Sequence, residues 1–258
     1  MKNDSVEVPL EHSTKEKDLG VWTDDKLKFA GHTGQVAAKG SQLLGLIKRS
    51  FVHRDSDVIK KLYKALVRPH LEYANVVWHP RYKKEIEQLE RFQRRATKLV
   101  CSLQNLPYES QLRQMKLPSL VYRRYRGDMI KVFKYLRVTY SVRSNDLLPR
   151  APVTALRGHD HKLLKRHRRS HVRSSFFSYR VVTSWNNLPN EVVSAPSLNS
   201  FKGKIRQILE RLLLLSGSWH IYSTAGEQPT GQPGLTSKAE EEGEGKGNEK
   251  LYIRTAVS

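Results

Sequence analysis

The feature that most constrains the fold is an apolar stripe between Tyr82 and Cys101. Six apolar side chains recur there three or four residues apart: Ile86, Leu89, Phe92, Ala96, Leu99 and Val100. This spacing predicts an amphipathic α-helix whose apolar side faces a core. Four cations lie on the opposite side of that helix: Arg91, Arg94, Arg95 and Lys98. The segment is therefore predicted to join a helical core to a basic surface.

Less regular patterns of the same kind predict further helices along the chain. They cover residues 31–51, 108–115, 118–137, 175–188 and 198–212. Another helix is expected to start at Asp55 or Ser56, either of which can cap it, and to kink or end near Arg68. The reason is Pro69, which lacks a backbone donor and clashes with the preceding turn. Helix is predicted to resume over residues 71–80.

Together these patterns predict a mainly α protein, an irregular helical bundle with a short N-terminal β-hairpin and a disordered C-terminal tail. Two β-prone segments, 5–9 and 19–23, predict the hairpin. The tail is rich in Gly, Glu, Ser and Lys and buries too little apolar surface to order itself. The predicted organisation is a hairpin over 1–30, a helical domain over 31–137, a basic loop or arm over 138–174, a helical extension over 175–215 and the tail over 216–258.

Charge indicates what kind of partner such a surface attracts. The chain has 46 Lys and Arg against 25 Asp and Glu, a net charge of +21, which draws in polyanions, nucleic acid first among them. An anionic membrane surface and a basic surface without a ligand are the alternatives. The candidate nucleic-acid-binding residues form three groups: Arg91, Arg94, Arg95 and Lys98; Arg123, Arg124 and Arg126; Lys165, Arg166, Arg168 and Arg169. A solvated helix face, or a localisation signal in the third group, is the competing interpretation.

No catalytic, metal or cofactor site is predicted. Cys101 is the single cysteine, which excludes an internal disulfide and any zinc site that needs several thiolates, and it is expected to be buried. Asp24 and Asp25 are paired as in a two-metal site but lie in a predicted turn without a third carboxylate. Four clustered histidines lack cysteine or carboxylate partners at fixed spacing: His159, His161, His167 and His171.

No apolar run approaches the length of a membrane span or a secretory signal, so no membrane association and an intracellular location, nuclear or cytoplasmic, are expected.

Five segments, taken in order, resemble one family. They are similar to the downstream part of reverse transcriptases from jockey-like non-LTR retrotransposons, the LINE type of mobile element, and the resemblance covers roughly residues 15–210. The segments are KDLGVWTDDKLKFAGH (17–32), LLGLIKRSF (43–51), LYKALVRPHLEYANVVWHP (62–80), IEQLERFQRRATKLV (86–100) and FFSYRVVTSWNNLPNEVVSAPSLNSFK (176–202).

The resemblance implies a palm-edge hairpin, a thumb-like helical bundle and a C-terminal extension of an RNA-directed DNA polymerase. The family's catalytic aspartates lie upstream of the block at 17–20, so they are expected to be missing, and Asp24 and Asp25 do not correspond to them. Thumbs hold the template–primer duplex by its backbone, which suggests that role for Arg91, Arg94, Arg95 and Lys98.

The expected function is that of a truncated, non-catalytic fragment that contacts RNA or RNA–DNA duplex without base specificity. Three alternatives remain open. The chain is part of a polymerase that acts only with the upstream palm, a remnant that binds protein, or a reading frame without function.

Overall fold

A short β-hairpin opens the described part of the chain, and helices make up most of the rest. The computed structural model describes residues 13–80, 82–137, 144–152, 158–167, 170 and 172–216, all within the compact unit Met1–Ala225. The predicted mainly helical fold with an N-terminal hairpin is confirmed. The predicted tail lies outside the described residues from 217 onward.

The elements follow one another in a simple order. They are β1 (Lys15–Asp18), β2 (Val21–Asp24), α1 (Ala30–Ser50), α2 (Ser56–Leu62), α3 (Arg68–Glu72), α4 (Lys83–Thr97), α5 (Tyr108–Gln114), α6 (Leu120–Leu136), α7 (Ser144–Leu147), α8 (Phe177–Asn186), α9 (Asn190–Val193) and α10 (Leu198–Ser216).

The hairpin differs in register from the sequence prediction. β1 and β2 are antiparallel, with Asp18 opposite Val21. Leu19 and Gly20 form the two-residue turn with φ of 43° and 84°, the positive values that such a turn requires and that glycine adopts easily. The prediction of a strand over 19–23 was therefore wrong at its start. The segment predicted as its partner, 5–9, lies outside the described residues, and residues 15–18 take that place.

The helix before Pro69 does not stop there. A π-helical turn, Tyr63–Val67, joins α2 to α3, and the Arg68 N–H donates to the Tyr63 carbonyl, one residue further back than in an α-helix. The predicted break thus takes the form of a wider turn. Its result is that four residues spaced by four are all buried: Ile59, Tyr63, Val67 and Leu71.

The predicted helix over residues 71–80 was wrong. α3 ends at Glu72, Ala74 has a φ of 50°, and turns follow. The apolar run that suggested a helix is instead pinned by Trp78, which is fully buried and donates from Nε1 to the Tyr73 carbonyl at 2.6 Å.

Two hydrophobic clusters form the interior, and α6 contributes to both. The first lies among α1 to α5 and includes Leu120 from the start of α6. The second packs Val132 of α6 against α8, α9 and α10, around Trp185 and Phe201. No helix in the described part of the chain has both the length and the apolarity needed to cross a bilayer.

The contact between α1 and α4 is close at a glycine. A Cβ at Gly40 would lie 3.3 Å from Cδ1 of Phe92, so a side chain there would require the Phe92 ring to shift by a few tenths of an ångström. Four residues of the predicted stripe, Leu89, Phe92, Ala96 and Val100, are at most 3% exposed. Ile86 and Leu99 are partly buried, and α4 ends at Thr97, before Leu99 and Val100.

Cys101, expected to be buried, is exposed, because α4 ends at Thr97 and Cys101 begins a separate 3-10 turn.

The described part of the basic segment is anchored: the Leu164 N–H donates to the Pro149 carbonyl at 2.8 Å, and Leu163 is buried in the second cluster.

Candidate functional site

The exposed side of α4 brings together four of the residues singled out from the sequence. Arg91, Arg94, Arg95 and Lys98 are all exposed, while the apolar side of the helix is buried in the first cluster. With Gln88 and Phe92 they line a shallow depression of about 490 Å³. We call these four side chains the α4 cation face.

Two of the guanidinium groups are held in place by neighbouring side chains. Arg95 donates from Nη2 to Oγ of Ser41 on α1 at 3.2 Å, and its guanidinium carbon lies 4.4 Å from the centroid of the Phe92 ring. Arg94 lies 4.8 Å above the Tyr108 ring of α5. Cations at such distances are attracted by the ring face, so half of the α4 cation face is positioned before any ligand arrives.

The four cations of this face form no ion pair among the described residues, although the charge of Arg94 acts on the buried carboxylate of Glu90. Four ion pairs occur in that part of the molecule: Arg68–Glu72, Arg123–Glu72, Arg180–Asp128 and Arg206–Glu210. None of them includes a residue of the α4 cation face. An uncompensated cluster of this kind keeps a positive potential at the surface and attracts anions.

The second predicted group, on α6, is used inside the molecule. Arg123 is half-buried and pairs with Glu72 of α3, donating from Nη2 to Oε2 at 2.7 Å, and that hydrogen bond raises the pKa of Arg123. Arg126 donates from Nη2 to the Lys202 carbonyl of α10 at 3.2 Å. Arg124 is 3% exposed. These three residues therefore do not form an exposed face.

Arg124 lies in a buried region that contains other titratable groups. Burial lowers the pKa of Arg124, and the nearby carboxylate of Glu90 opposes that shift. Burial raises the pKa of Glu90, against the hydrogen bond that it accepts from the Tyr108 hydroxyl at 2.7 Å. The nitrogens of the Arg124 guanidinium have no hydrogen-bond partner among the described residues.

The ion pair of Asp128 and Arg180 also lies in this region and connects α6 to its neighbours, and His79 lies close to it. Asp128 of α6 accepts from Arg180 of α8 at 2.9 and 3.0 Å, and Arg180 also donates to the Asn75 and Val76 carbonyls at 3.3 Å. His79 has a buried Nδ1. Burial, together with Arg180 and Arg124, holds the pKa of His79 well below its ordinary value.

The third predicted group is only partly described. Lys165 and Arg166 are exposed and lie outside any helix or strand. Arg168 and Arg169 lie outside the described residues. For all three groups the role in binding nucleic acid stays a prediction.

The residues considered for catalysis or metal binding have local roles. Oδ1 of Asp24 accepts from the Lys28 N–H at 2.9 Å and so closes the turn after β2, and Asp25 is exposed beside it. His159 is buried and its Nε2 lies 3.1 Å from the Trp185 carbonyl. Within the described residues, no three His, Cys, Asp or Glu side chains are grouped so as to hold a metal ion.

The sequence patterns did not indicate the residues that support the α4 cation face. Ser41 and Tyr108 come from other helices, 54 residues before Arg95 and 14 residues after Arg94 in the sequence. Nothing in the local pattern around either one points to α4. Their part in the site becomes visible only once the helices are packed together.

Comparison with known proteins gives little that is informative. No family model matches the chain, and no solved structure matches it. An uncharacterized protein of Caenorhabditis elegans is 27% identical over 135 residues, which is 51% of this chain. The chain spans 65% of the length of that relative.

Proposed function

We propose that this chain binds the phosphate backbone of RNA or RNA–DNA duplex through the α4 cation face, without reading base sequence. The observation that carries the proposal is that four exposed cations lie together on one helix with no carboxylate partner in the described structure. Lys165 and Arg166 are exposed cations that extend the same chemistry to a second segment.

Phosphate binding fits the chemistry and the dimensions of this face. Arg91 and Lys98 are seven positions apart, about 10 Å along a helix axis, and about three phosphates of one nucleic-acid strand cover that length. Guanidinium groups donate in pairs to phosphate oxygens. Each phosphate that is neutralised releases a counterion, so affinity for such a face falls as salt rises.

The proposal also states where the chain comes from and which activity it lacks. The resemblance of five ordered segments to jockey-like reverse transcriptases supports descent from a polymerase thumb, whose ligand is a duplex backbone. We infer that this chain alone does not polymerise DNA. The side chains of the α4 cation face offer donors for phosphate and no carboxylate that could hold Mg²⁺ for nucleotidyl transfer.

The binding test compares two variants of equal net charge. One replaces the α4 cation face: Arg91→Gln, Arg94→Gln, Arg95→Gln and Lys98→Gln. The control replaces four exposed lysines of the hairpin region: Lys15→Gln, Lys17→Gln, Lys26→Gln and Lys28→Gln. Affinity for an RNA–DNA duplex is measured by filter binding over a series of salt concentrations.

The α4 variant is expected to bind all duplex sequences more weakly and to reduce the salt slope by about one per cation that contacts a phosphate. The hairpin control is expected to keep most of the wild-type slope. Equal losses in the two variants would mean that net charge alone governs binding, and the proposed site would be wrong.

Primer extension tests the second part of the proposal. Purified chain is incubated with an RNA template, a DNA primer, Mg²⁺ and deoxynucleotides, and the primer length is followed on a gel. No extension is expected. Extended primer would overturn the claim that the chain acts by binding alone and would restore the polymerase interpretation.

A further inference from the structure

A cavity of about 140 Å³ lies at the second hydrophobic cluster, beside the end of α6. None of the residues that line it belongs to the α4 cation face, so this space is separate from the duplex-binding site proposed above. We call it the Trp185 cavity. Seven residues line it in the described part of the chain: Phe133, Leu136, Arg137, Arg150, His161, Trp185 and Val193.

The walls of the Trp185 cavity are apolar side chains of the core. Phe133 and Leu136 come from α6, and Trp185 comes from α8. These three and Val193 of α9 are each at most 9% exposed. The indole ring is held in position, because its Nε1–H donates to the His161 carbonyl at 2.8 Å. An engineered apolar cavity of about 150 Å³ accepts a benzene molecule, so a single aromatic ring is the size of group that fits here.

The opening of the cavity is basic. Arg137 and Arg150 are exposed and His161 is partly exposed, which places these three polar side chains on the solvent side of the apolar walls. Among the described residues no carboxylate lines the cavity. Segments 138–143 and 153–157, which adjoin the lining residues in sequence, contain no Asp or Glu. Cations at the opening and apolar surface inside favour an anion whose body is apolar.

The two arginines at the opening keep donors free for a ligand. Arg137 donates from Nη2 to the Ala195 carbonyl at 3.0 Å, and its guanidinium carbon lies 5.5 Å from the centroid of the Phe133 ring. That bond covers a carbonyl oxygen that would repel an anion, and it uses one of five N–H donors. The backbone at Arg150 is fixed by an antiparallel bridge to Leu163. Arg150 forms no ion pair among the described residues.

We propose that the Trp185 cavity binds a small aromatic carboxylate. The ring occupies the apolar interior, against Phe133 and Trp185, where its burial removes apolar surface from water. The carboxylate accepts hydrogen bonds from Arg137 and Arg150, since guanidinium groups match the geometry of carboxylate oxygens. Acetate has the charge without the ring, and benzyl alcohol has the ring without the charge, so each satisfies half of the cavity. This binding goes beyond the proposed function and does not depend on it.

The experiment titrates the full chain with benzoate and, in parallel, with acetate and with benzyl alcohol. Binding is measured by isothermal titration calorimetry, and contact of the benzoate ring with the protein is detected by saturation-transfer NMR. We expect benzoate to bind at least about tenfold more tightly than either comparison compound, a difference of about 1.4 kcal/mol. No binding of benzoate, or equal affinity for benzyl alcohol, would overturn the proposal.

Two variants locate the bound benzoate. Arg150→Gln removes a donor at the opening and is expected to weaken benzoate binding at least about tenfold, whereas Arg113→Gln, at an exposed position on α5, is the charge-matched control and is expected to change nothing. Val193→Met fills the interior with an unbranched side chain that adapts to irregular gaps. It is expected to abolish benzoate binding while the thermal unfolding midpoint stays at or above that of wild type.

Benzoate binding that survives Val193→Met, or that falls equally in Arg150→Gln and Arg113→Gln, would contradict the Trp185 cavity as the site. The variant that lacks the α4 cation face is expected to bind benzoate as tightly as wild type. Failure of this proposal and failure of the proposed duplex binding are therefore distinguishable in the same set of proteins.

Discussion

The helices α4 and α6 carry clusters of arginine that look alike in the sequence but make different contacts in the structure. On α4 the cations occupy the side that faces solvent and have no carboxylate partner in the described structure. On α6 they point toward α3, α10 and the buried region around Glu90. One cluster is a surface and the other is a set of internal contacts.

The difference follows from how many sides of each helix are covered. α4 packs its apolar side on α1, α2, α5 and α6 and leaves the side that carries the cation face to solvent. α6 lies against α4 on one side and against α8 and α10 on the others. Its arginines therefore meet carbonyl and carboxylate oxygens of this chain before they meet any ligand. The lesson is that a count of cations along a helix predicts a binding surface only if one side of the helix remains uncovered.

The largest expected effect comes from the ion pair between α6 and α8. Arg180→Met removes the partner of Asp128, and both side chains of the pair are at most 10% exposed. Since a buried carboxylate would lose its compensating charge, the free energy of unfolding is expected to fall by about 3–5 kcal/mol. The measurement is urea denaturation near neutral pH.

Arg91→Met on the α4 cation face is the matched control for this variant. It is expected to change the same free energy by less than about 0.5 kcal/mol, as exposed substitutions usually do. If the two variants were equally stable, the contrast between an internal and a surface cluster would fail.

A smaller effect is expected from His79, whose buried Nδ1 lies in the region of Arg180 on α8 and Arg124 on α6. Burial, Arg180 and Arg124 lower the pKa of His79 in the folded protein, whereas the unfolded chain has the ordinary value of about 6.5. Below that value the unfolded chain binds a proton that the folded chain does not. Stability from this group is therefore present above about pH 6.5 and is lost as pH falls below it.

The wild type is accordingly expected to lose about 1 kcal/mol more than His79→Gln between about pH 7 and about pH 5.5. Burial raises the pKa values of Glu90 and Asp128, which adds stability on acidification, but both groups are present in both proteins and cancel in the difference. His53→Gln, at an exposed position, controls for the loss of an imidazole. A His79→Gln variant whose pH dependence equals that of wild type would show that the pKa of His79 is not lowered in the folded protein.

The smallest effect concerns stability within the α4 cation face itself. Arg95 lies over Phe92 and bonds to Ser41, so Arg95→Gln is expected to lower the free energy of unfolding by about 0.5–1 kcal/mol. Arg91→Gln, on the same face, serves as the reference and is expected to be neutral. Thermal unfolding followed by circular dichroism compares the two variants. An Arg95→Gln variant as stable as wild type would show that the contacts of Arg95 with Phe92 and Ser41 do not stabilise the fold.

Much of the fold could be predicted because its signals are local. The period of Leu89, Phe92 and Ala96 defines α4, since a helix that buries one side needs that spacing. The position of the hairpin turn was missed because the β-prone side chains around Gly20 outweighed the turn signal of the glycine itself. Residues 71–80 were read as helix because an apolar run does not distinguish a helix from a turn pinned by one large side chain, Trp78.

The electrostatic environments could not be predicted, because they arise between distant parts of the chain. Arg124 is buried beside Glu90, and Arg123 meets Glu72, 51 residues earlier in the sequence. An arginine on a helix looks the same in the sequence whether its neighbour is water or a carboxylate. Of the three candidate groups, the one on α4 forms an exposed face, the one on α6 does not, and only Lys165 and Arg166 of the third are described.

The π-helical turn at Tyr63–Val67 also has a consequence for changes in chain length. A π turn accommodates one residue more than an α turn, so deleting one residue within it would restore an ordinary helix and leave Ile59 and Leu71 directed at the core. The same deletion in α4 would rotate every later side chain by about 100° and carry Arg94, Arg95 and Lys98 away from solvent. A one-residue deletion is therefore expected to be tolerated in the π turn between α2 and α3 and to disrupt the α4 cation face when it is made in α4.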